Sequence, residues 1–236
     1  MRIAELGGLR VRITGGTDRE GGGDGPAVVL MHGFGAPGDD LVSLWRVLRA
    51  PPGTRFVFPE APVSLDELGL FGGRAWWMID MARLQRLRTP AEVLQMMSEA
   101  PPGLAEARAK VTAMLDELDA TLRPSSLVLG GFSQGSMLAV DVALRSERPL
   151  AGLVVMSGAL IAESEWRPLA VKRAGLPVVQ SHGTEDAILP FLVGEKLRDL
   201  LKGAGLLHTW VPFRGGHAIP DPVIEAVGDL LTERQA

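Results

Sequence analysis

The chain contains no cysteine and no tyrosine among its 236 residues. Without cysteine it can form no disulfide, thiolate zinc site or iron–sulfur cluster, and it cannot use a thiolate nucleophile. Without tyrosine it has neither a tyrosine base nor a phenol that could donate to an oxyanion. The absence of cysteine fits a reducing compartment, so we expect a cytoplasmic protein.

Strong charge and long apolar runs are also missing. The formal net charge is −4, and the 24 basic residues form no stripe or polybasic run, so neither nucleic acid nor an anionic membrane is expected as a partner. No apolar run approaches the roughly 18 residues of a membrane-spanning helix, so no transmembrane segment is expected. Residues 1–16 contain no apolar core of the kind found in signal peptides.

Short apolar segments alternate with helical patterns along most of the chain. A hairpin is predicted over residues 2–6 and 9–14. Further strands are predicted at 27–31, 55–58, 126–130, 151–157, 177–181 and 207–213, and helices at 39–49, 105–122, 134–144, 190–202 and 222–232. This order predicts an α/β fold, in which a mostly parallel sheet has helices on both faces and the antiparallel hairpin at one edge.

Chain length alone does not distinguish one domain from two. No repeat or linker divides the sequence, so we expect a single domain over residues 1–236. Residues 71–103 fit neither a strand nor one long helix, and we expect an irregular, cap-like excursion near the functional site.

Residues 131–135, Gly-Phe-Ser-Gln-Gly, match the pattern G-x-S-x-G between a predicted strand and a predicted helix. In such a nucleophile elbow a tight turn presents the serine, here Ser133, and flanking glycines remove Cβ atoms that would crowd the turn. The following helix start points N–H groups toward developing negative charge. The alternative is a glycine-rich helix start in another α/β fold, but the placement favours a catalytic serine.

A serine nucleophile needs a base, commonly a histidine that is oriented by a carboxylate. His217 follows the last predicted strand, at the edge where open α/β sheets place their sites. Asp186 lies in the loop before the helix at 190–202 and is the predicted acid, with its neighbour Glu185 as the alternative. His182 and His208 are predicted to be structural.

Acyl transfer also needs two N–H donors for the oxyanion. The residue after the nucleophile, Gln134, supplies one in an elbow of this kind. The segment Met31-His-Gly-Phe-Gly35 follows an early strand, and its glycines allow the backbone to turn inward, so the N–H of Phe34 is the predicted second donor. Taken alone, this segment could be only a tight turn.

With these motifs in place, the sequence resembles the phospholipase/carboxylesterase family of the α/β-hydrolase superfamily, which includes bacterial carboxylesterases and acyl-protein thioesterases. The matching segments occur in the family's order at 31–35, 58–62, 75–77, 130–136, 156–158, 182–190 and 216–217. The resemblance implies an α/β-hydrolase fold, the catalytic residues Ser133, Asp186 and His217, and no metal or organic cofactor. It departs at Ser136, where the family commonly has glycine.

The expected activity is hydrolysis of a small-molecule acyl ester by a serine carboxylesterase. Apolar residues that flank the catalytic segments predict a pocket for a short- to medium-chain acyl group. They are Trp76, Trp77, Met78, Ile188, Leu189 and Ile219. The alternative is that about half of them fill the core. An acyl thioesterase or a lysophospholipase with the same triad remains the competing function, and a catalytically silent binding protein is the remote one. Homodimers are common in the resembling family, which makes a homodimer one possible assembly, but no segment of the sequence indicates an interface.

Overall fold

The computed structural model of the chain describes residues 1–80, 86 and 89–233. The strands are β1 (Arg2–Leu6), β2 (Leu9–Gly15), β3 (Ala27–Met31), β4 (Arg55–Pro59), β5 (Val63–Ser64), β6 (Arg74–Ala75), β7 (Leu127–Phe132), β8 (Gly152–Met156), β9 (Pro177–Gly183) and β10 (Leu207–Phe213). The α-helices are α1 (Pro90–Ser98), α2 (Leu104–Leu122), α3 (Gln134–Arg145), α4 (Glu163–Ala170), α5 (Phe191–Gly203) and α6 (Asp221–Glu233). Short 3₁₀ helices span Val42–Arg46, Asp66–Leu68 and Val171–Arg173.

One sheet of eight strands organises the described chain, in the order β1-β2-β4-β3-β7-β8-β9-β10. The six strands from β4 to β10 in this order pair in parallel, while β1 pairs antiparallel with β2 and β2 antiparallel with β4. This topology confirms the predicted parallel sheet with an antiparallel hairpin at one edge. Because the parallel strands all end at the same edge, the loops after β3, β7, β8, β9 and β10 gather there.

Alternate residues of the central strands pack into two apolar layers, one on each face of the sheet. In β3, Val29 and Met31 pack into the layer formed by α2, α3, α4 and α5, whereas Val28 and Leu30 face the layer formed by α6 and the first 3₁₀ helix. Both faces of the central strands are therefore covered, which accounts for their nearly continuous apolar sequence.

The helix that the sequence predicts at 39–49 is wrong in type and length. The structure forms only the 3₁₀ helix Val42–Arg46 there. Leu41 and Leu44, spaced three apart, are both buried in the α6 layer, and this spacing suits the three residues per turn of a 3₁₀ helix. Pro51 and Pro52 follow shortly after, so the segment has little room to continue as a helix.

The predicted excursion at 71–103 contains the two-residue strand β6 and the helix α1. Thr89 caps α1 by accepting a hydrogen bond from the N–H of Glu92, while the Glu92 side chain accepts from the N–H of Thr89. Part of the excursion, 81–85 and 87–88, lies outside the described residues. Its role as a cap therefore stays a prediction.

Among the helices that the structure describes, none combines the length and the apolar composition that crossing a membrane requires.

Candidate active site

The nucleophile elbow forms where β7 passes into α3. Ser133 has φ 53° and ψ −123°. Residues other than glycine rarely adopt this backbone conformation, which costs on the order of 1–3 kcal/mol. A Cβ atom at Gly131 would lie 2.5 Å from the Met31 carbonyl oxygen, and one at Gly135 would lie 2.1 Å from the same atom. The two glycines are thus required by close contact with the end of β3, as the sequence predicts.

The departure at Ser136 tightens the elbow. The Ser136 side chain is fully buried, and its hydroxyl donates a hydrogen bond of 2.7 Å to the carbonyl oxygen of Ser133. The N–H of Ser133 in turn donates to the Met156 carbonyl at 2.8 Å. The strained serine is therefore held on both sides by hydrogen bonds, one of which a glycine at 136 could not make.

The predicted base and acid are in direct contact. Nδ1 of His217 lies 2.6 Å from Oδ2 of Asp186, and the other carboxylate oxygen accepts N–H bonds from Ile188 and Leu189, each of 2.8 Å. Because a carboxylate only accepts, the His217 nitrogen that faces it carries the proton, which leaves Nε2 free to act as a base. Glu185, the alternative acid, has a side chain that is 60% exposed and pairs with Arg214.

The environment keeps Asp186 ionised. Burial alone would raise its pKa, but the hydrogen bond from His217 and the N–H groups of Leu189 and Ile188 outweigh burial and hold the pKa below its ordinary value. Asp186 is therefore a carboxylate near neutral pH, as an orienting acid must be.

Loop contacts bring His217 to the elbow. The N–H of Glu185 donates to the Gly215 carbonyl at 2.9 Å, so the loop that carries the acid is attached to the loop that carries the base. The His217 ring packs on Phe132, the residue before the nucleophile, with ring centroids 4.7 Å apart. The sequence predicts that these loops lie at the same edge of the sheet, but it does not predict the contact between His217 and Phe132.

The segment at 31–35 lies directly beside the nucleophile. A Cβ atom at Gly33 would lie 3.2 Å from the Cβ of Ser133. The segment is fixed by β6, because the N–H of Gly35 donates to the Arg74 carbonyl and the N–H of Arg74 donates to the Ala36 carbonyl. This location fits the predicted oxyanion loop, and the donor roles of Phe34 and Gln134 remain predictions.

A buried hydrogen-bond chain, not foreseen from the sequence, ties the elbow to this loop. The Gln134 side chain accepts from the N–H of Trp76 at 2.9 Å and donates to the Trp77 carbonyl at 2.8 Å. The Trp76 indole N–H donates to the His32 carbonyl at 2.9 Å. These bonds therefore connect Gln134, one predicted oxyanion donor, to His32 in the loop that carries the other.

His32 completes this unit as a neutral ring. Its Nε2 accepts the N–H of Ala61 at 3.1 Å, so the proton sits on Nδ1, which donates to the Gly33 carbonyl at 2.8 Å. Burial lowers the pKa of His32 and favours this neutral form, against the opposing effect of the Gly33 carbonyl. In the sequence, His32 is recognisable only as a histidine at the end of a strand, followed by glycine. This pattern does not reveal the hydrogen-bond partners of its ring.

Replacing Gln134 with methionine is expected to lower kcat for an ester substrate by about 10–100-fold, because a displacement near 1 Å in the site has effects of that size. The backbone donor remains, but the Trp76 N–H and the Trp77 carbonyl lose their buried partners. Steady-state kinetics and a thermal melt test this prediction. Gln95→Met, at an exposed position of α1, is the matched control. A lower Tm with unchanged kcat would contradict a role in catalysis.

The predicted pocket residues divide into two groups. Trp76, Trp77 and Leu189 are buried in the core layer. Met78 is 46% exposed and Ile188 is 67% exposed. The remaining residue, Ile219, packs partly buried against the other layer. Half of the set is therefore buried in the core, and a substrate contact of Met78, Ile188 and Ile219 stays a prediction.

The histidine at 208 has structural contacts, in keeping with its prediction. Its Nε2 lies 2.8 Å from Oε1 of Gln180. Burial, followed by the charges of Arg198 and Lys202, lowers the pKa of His208 to about 4. The ring is therefore neutral at physiological pH and lies on β10 away from the elbow.

A sequence profile described as Phospholipase/Carboxylesterase matches residues 23–233. The chain belongs to the phospholipase/carboxylesterase family. Members of this family are hydrolases that act on ester bonds, and this chain is a hydrolase of that kind. The fold is that of the α/β-hydrolases.

Relatives and solved structures match this chain over most of its length. Acyl-protein thioesterase 1 of Neurospora crassa is 27% identical over 215 residues, which cover 88% of this chain and 86% of the relative. Esterase PE8 is 27% identical, with a TM-score of 0.77 and coverage of 99% and 100%. Acyl-protein thioesterase 2 of Zea mays, 22% identical with a TM-score of 0.72 and coverage of 96% and 99%, supports the fold.

Proposed function

We propose that the chain is a serine carboxylesterase that hydrolyses short- to medium-chain acyl esters through an acyl-enzyme on Ser133. The observation that carries the proposal is the 2.6 Å contact between His217 and Asp186, beside an elbow that presents Ser133 in a strained conformation. A base, its orienting acid and a nucleophile on neighbouring loops are the parts that acyl transfer needs.

The reaction proceeds in two halves. Nε2 of His217 takes the Ser133 proton as Oγ bonds to the acyl carbon, and the carbonyl electron pair moves onto oxygen, where the N–H groups of Phe34 and Gln134 bind it. The ester C–O bond then breaks, and His217 gives its proton to the departing alkoxide. In the second half His217 deprotonates water, which attacks the acyl-enzyme and releases the acid, and the proton returns to Oγ of Ser133.

The preference for short and medium chains rests on the state of the pocket residues. Trp76, Trp77 and Leu189 are buried in the core layer and expose little surface to a substrate. Met78 and Ile188 offer exposed apolar surface for a limited acyl group. A series of p-nitrophenyl esters of increasing chain length tests this part, and highest kcat/KM on the longest chains would contradict it.

A thioesterase is the second candidate, because curated relatives of this chain carry the name acyl-protein thioesterase 1. The proposed triad attacks an ester and a thioester by the same steps, since only the leaving group differs. Matched oxygen and sulfur esters of one acyl chain separate the two functions. A higher kcat/KM on the oxygen ester supports the carboxylesterase, and a clear preference for the thioester supports the alternative.

Two further proposals concern the context of this activity. We propose that residues 1–236 act as one α/β-hydrolase domain, which the single eight-stranded sheet supports. We also propose a cytoplasmic location, which is supported by a sequence without cysteine.

A further inference from the structure

The Asp186 carboxylate lies between two imidazole rings. Its Oδ2 atom is 2.6 Å from Nδ1 of His217 and 3.5 Å from Nε2 of His182. The His182 ring is completely buried and lies at the end of β9, four residues before the acid. The acyl-transfer steps proposed above make no use of this second ring.

The partners of His182 determine which nitrogen carries its proton. Nε2 lies 2.8 Å from the Leu189 carbonyl oxygen, which can only accept, so Nε2 carries a hydrogen. Nε2 also lies 3.5 Å from Oδ2 of Asp186, without a hydrogen bond between the two. Nδ1 has no hydrogen bond of ordinary geometry among the described residues, although the Gly158 backbone also acts to raise the pKa of the ring. Burial lowers the pKa of His182, against the Leu189 carbonyl and the Asp186 charge, and this favours the same neutral form.

A glycine in α5 makes room for the ring. A Cβ atom at Gly194 would lie 2.4 Å from Nδ1 and 2.7 Å from Cγ of His182. Glycine inside a helix is about 1 kcal/mol less favourable than alanine, so its presence here is explained by the space that the ring needs. The Gly194 carbonyl also accepts from Nε2 of Gln180 at 2.8 Å, which fixes this turn of α5 against β9.

We propose that His182 is a positioning residue of the acyl-transfer site, whose N–H holds the Leu189 carbonyl and whose ring lies beside the Asp186 carboxylate that faces His217. This inference rests on the proposed function. The bond to Leu189 fixes the acid loop, since Leu189 also donates its own N–H to Asp186. The polar N–H, 3.5 Å from Oδ2, offsets part of the negative charge that the carboxylate presents to His217.

The charged groups near the His182 ring lie on the loops that carry the acid and the base, and on α5. Asp186 and His217 are the charged groups that act most strongly on His182. Glu185 and Arg214 pair with each other at the exposed side of the same loops. On α5, Arg198 and Lys202 act on His208, whose Nε2 contacts Oε1 of Gln180.

His182→Met and His182→Gln form a matched pair, because the two side chains have similar length and only glutamine can donate. Loss of the donor in His182→Met is expected to lower kcat/KM for a p-nitrophenyl ester about tenfold through misplacement of the acid. Without the N–H, the carboxylate stabilises protonated His217 more strongly, so the acidic limb of the pH–rate profile moves to higher pH. His182→Gln is expected to restore most of the rate and the wild-type limb.

The variant Gly194→Ala tests the importance of the position of the His182 ring while the histidine itself is kept. The added Cβ displaces His182, and we expect a lower kcat/KM and the same shift of the acidic limb. Gly203→Ala is the control in the same helix, since a Cβ there meets nothing within 4 Å. Its kinetics are expected to equal those of the wild type. A thermal melt of each variant reports whether it is folded.

Equal rates and equal pH profiles for the wild type, His182→Met and Gly194→Ala would overturn the inference. Equal defects in His182→Met and His182→Gln would also overturn it, because they would show that volume matters and the donor does not. Failure of the proposed function looks different: the wild type would show no ester hydrolysis that depends on Ser133.

Discussion

Replacing Ser133 with alanine is expected to lower kcat for a p-nitrophenyl ester by about 10⁶-fold, the size of effect found when a catalytic serine is removed. His217 and Asp186 remain in contact, but no hydroxyl is left to attack the acyl carbon. The residual rate comes from oxyanion stabilisation and substrate binding. Because alanine keeps the Cβ atom at φ 53°, the backbone strain is unchanged, and we expect a Tm equal to or above that of the wild type.

Ser43→Ala is the matched control for this variant, since Ser43 lies exposed on the 3₁₀ helix Val42–Arg46. It is expected to retain the wild-type rate. Full hydrolysis by Ser133→Ala, measured on protein free of contaminating esterase, would exclude Ser133 as the nucleophile.

Asp186→Asn is expected to lower kcat by about 10⁴-fold through the tautomer of His217. The asparagine oxygen can keep the N–H bonds of Ile188 and Leu189, which places the amide nitrogen where Oδ2 faced His217. An amide N–H then points at Nδ1, so the imidazole proton moves to Nε2. With Nε2 protonated, His217 cannot accept the serine proton. Steady-state kinetics at neutral pH measures the loss.

The neighbouring carboxylate provides the control for this prediction. Glu185→Gln changes an exposed side chain that pairs with Arg214, and it is expected to leave kcat unchanged. The opposite outcome, in which Glu185→Gln is inactive and Asp186→Asn is active, would assign the acid to Glu185 and contradict the geometry described above.

The sequence predicted the features that depend on local pattern. Strands β3 and β10 begin and end where the apolar runs do, and the glycines at 131 and 135 have the close contacts that an elbow demands. Parallel topology then brings the loops that carry Ser133, Asp186 and His217 to one edge of the sheet, so their proximity was predictable from chain order.

The sequence did not predict the features that depend on contacts between distant segments. The bonds from Gln134 to the Trp76–Trp77 backbone join residues 57 and 58 positions apart, and their geometry follows from how β6 docks on the loop after β3. Helix α4 contains Pro168, which conceals its helical pattern in the sequence. The helix predicted at 39–49 is a short 3₁₀ helix because Leu41 and Leu44 both pack against one layer, a contact that the sequence does not show.

Activation of Ser133 by His217 is tested by labelling with a fluorophosphonate and locating the adduct by mass spectrometry. We expect one adduct, on the peptide that contains Ser133, with loss of ester hydrolysis in proportion to labelling. The adduct is expected to be absent in Ser133→Ala and to form much more slowly in His217→Ala. An adduct on another residue that abolishes activity, or full hydrolysis by protein labelled at Ser133, would exclude Ser133 as the nucleophile.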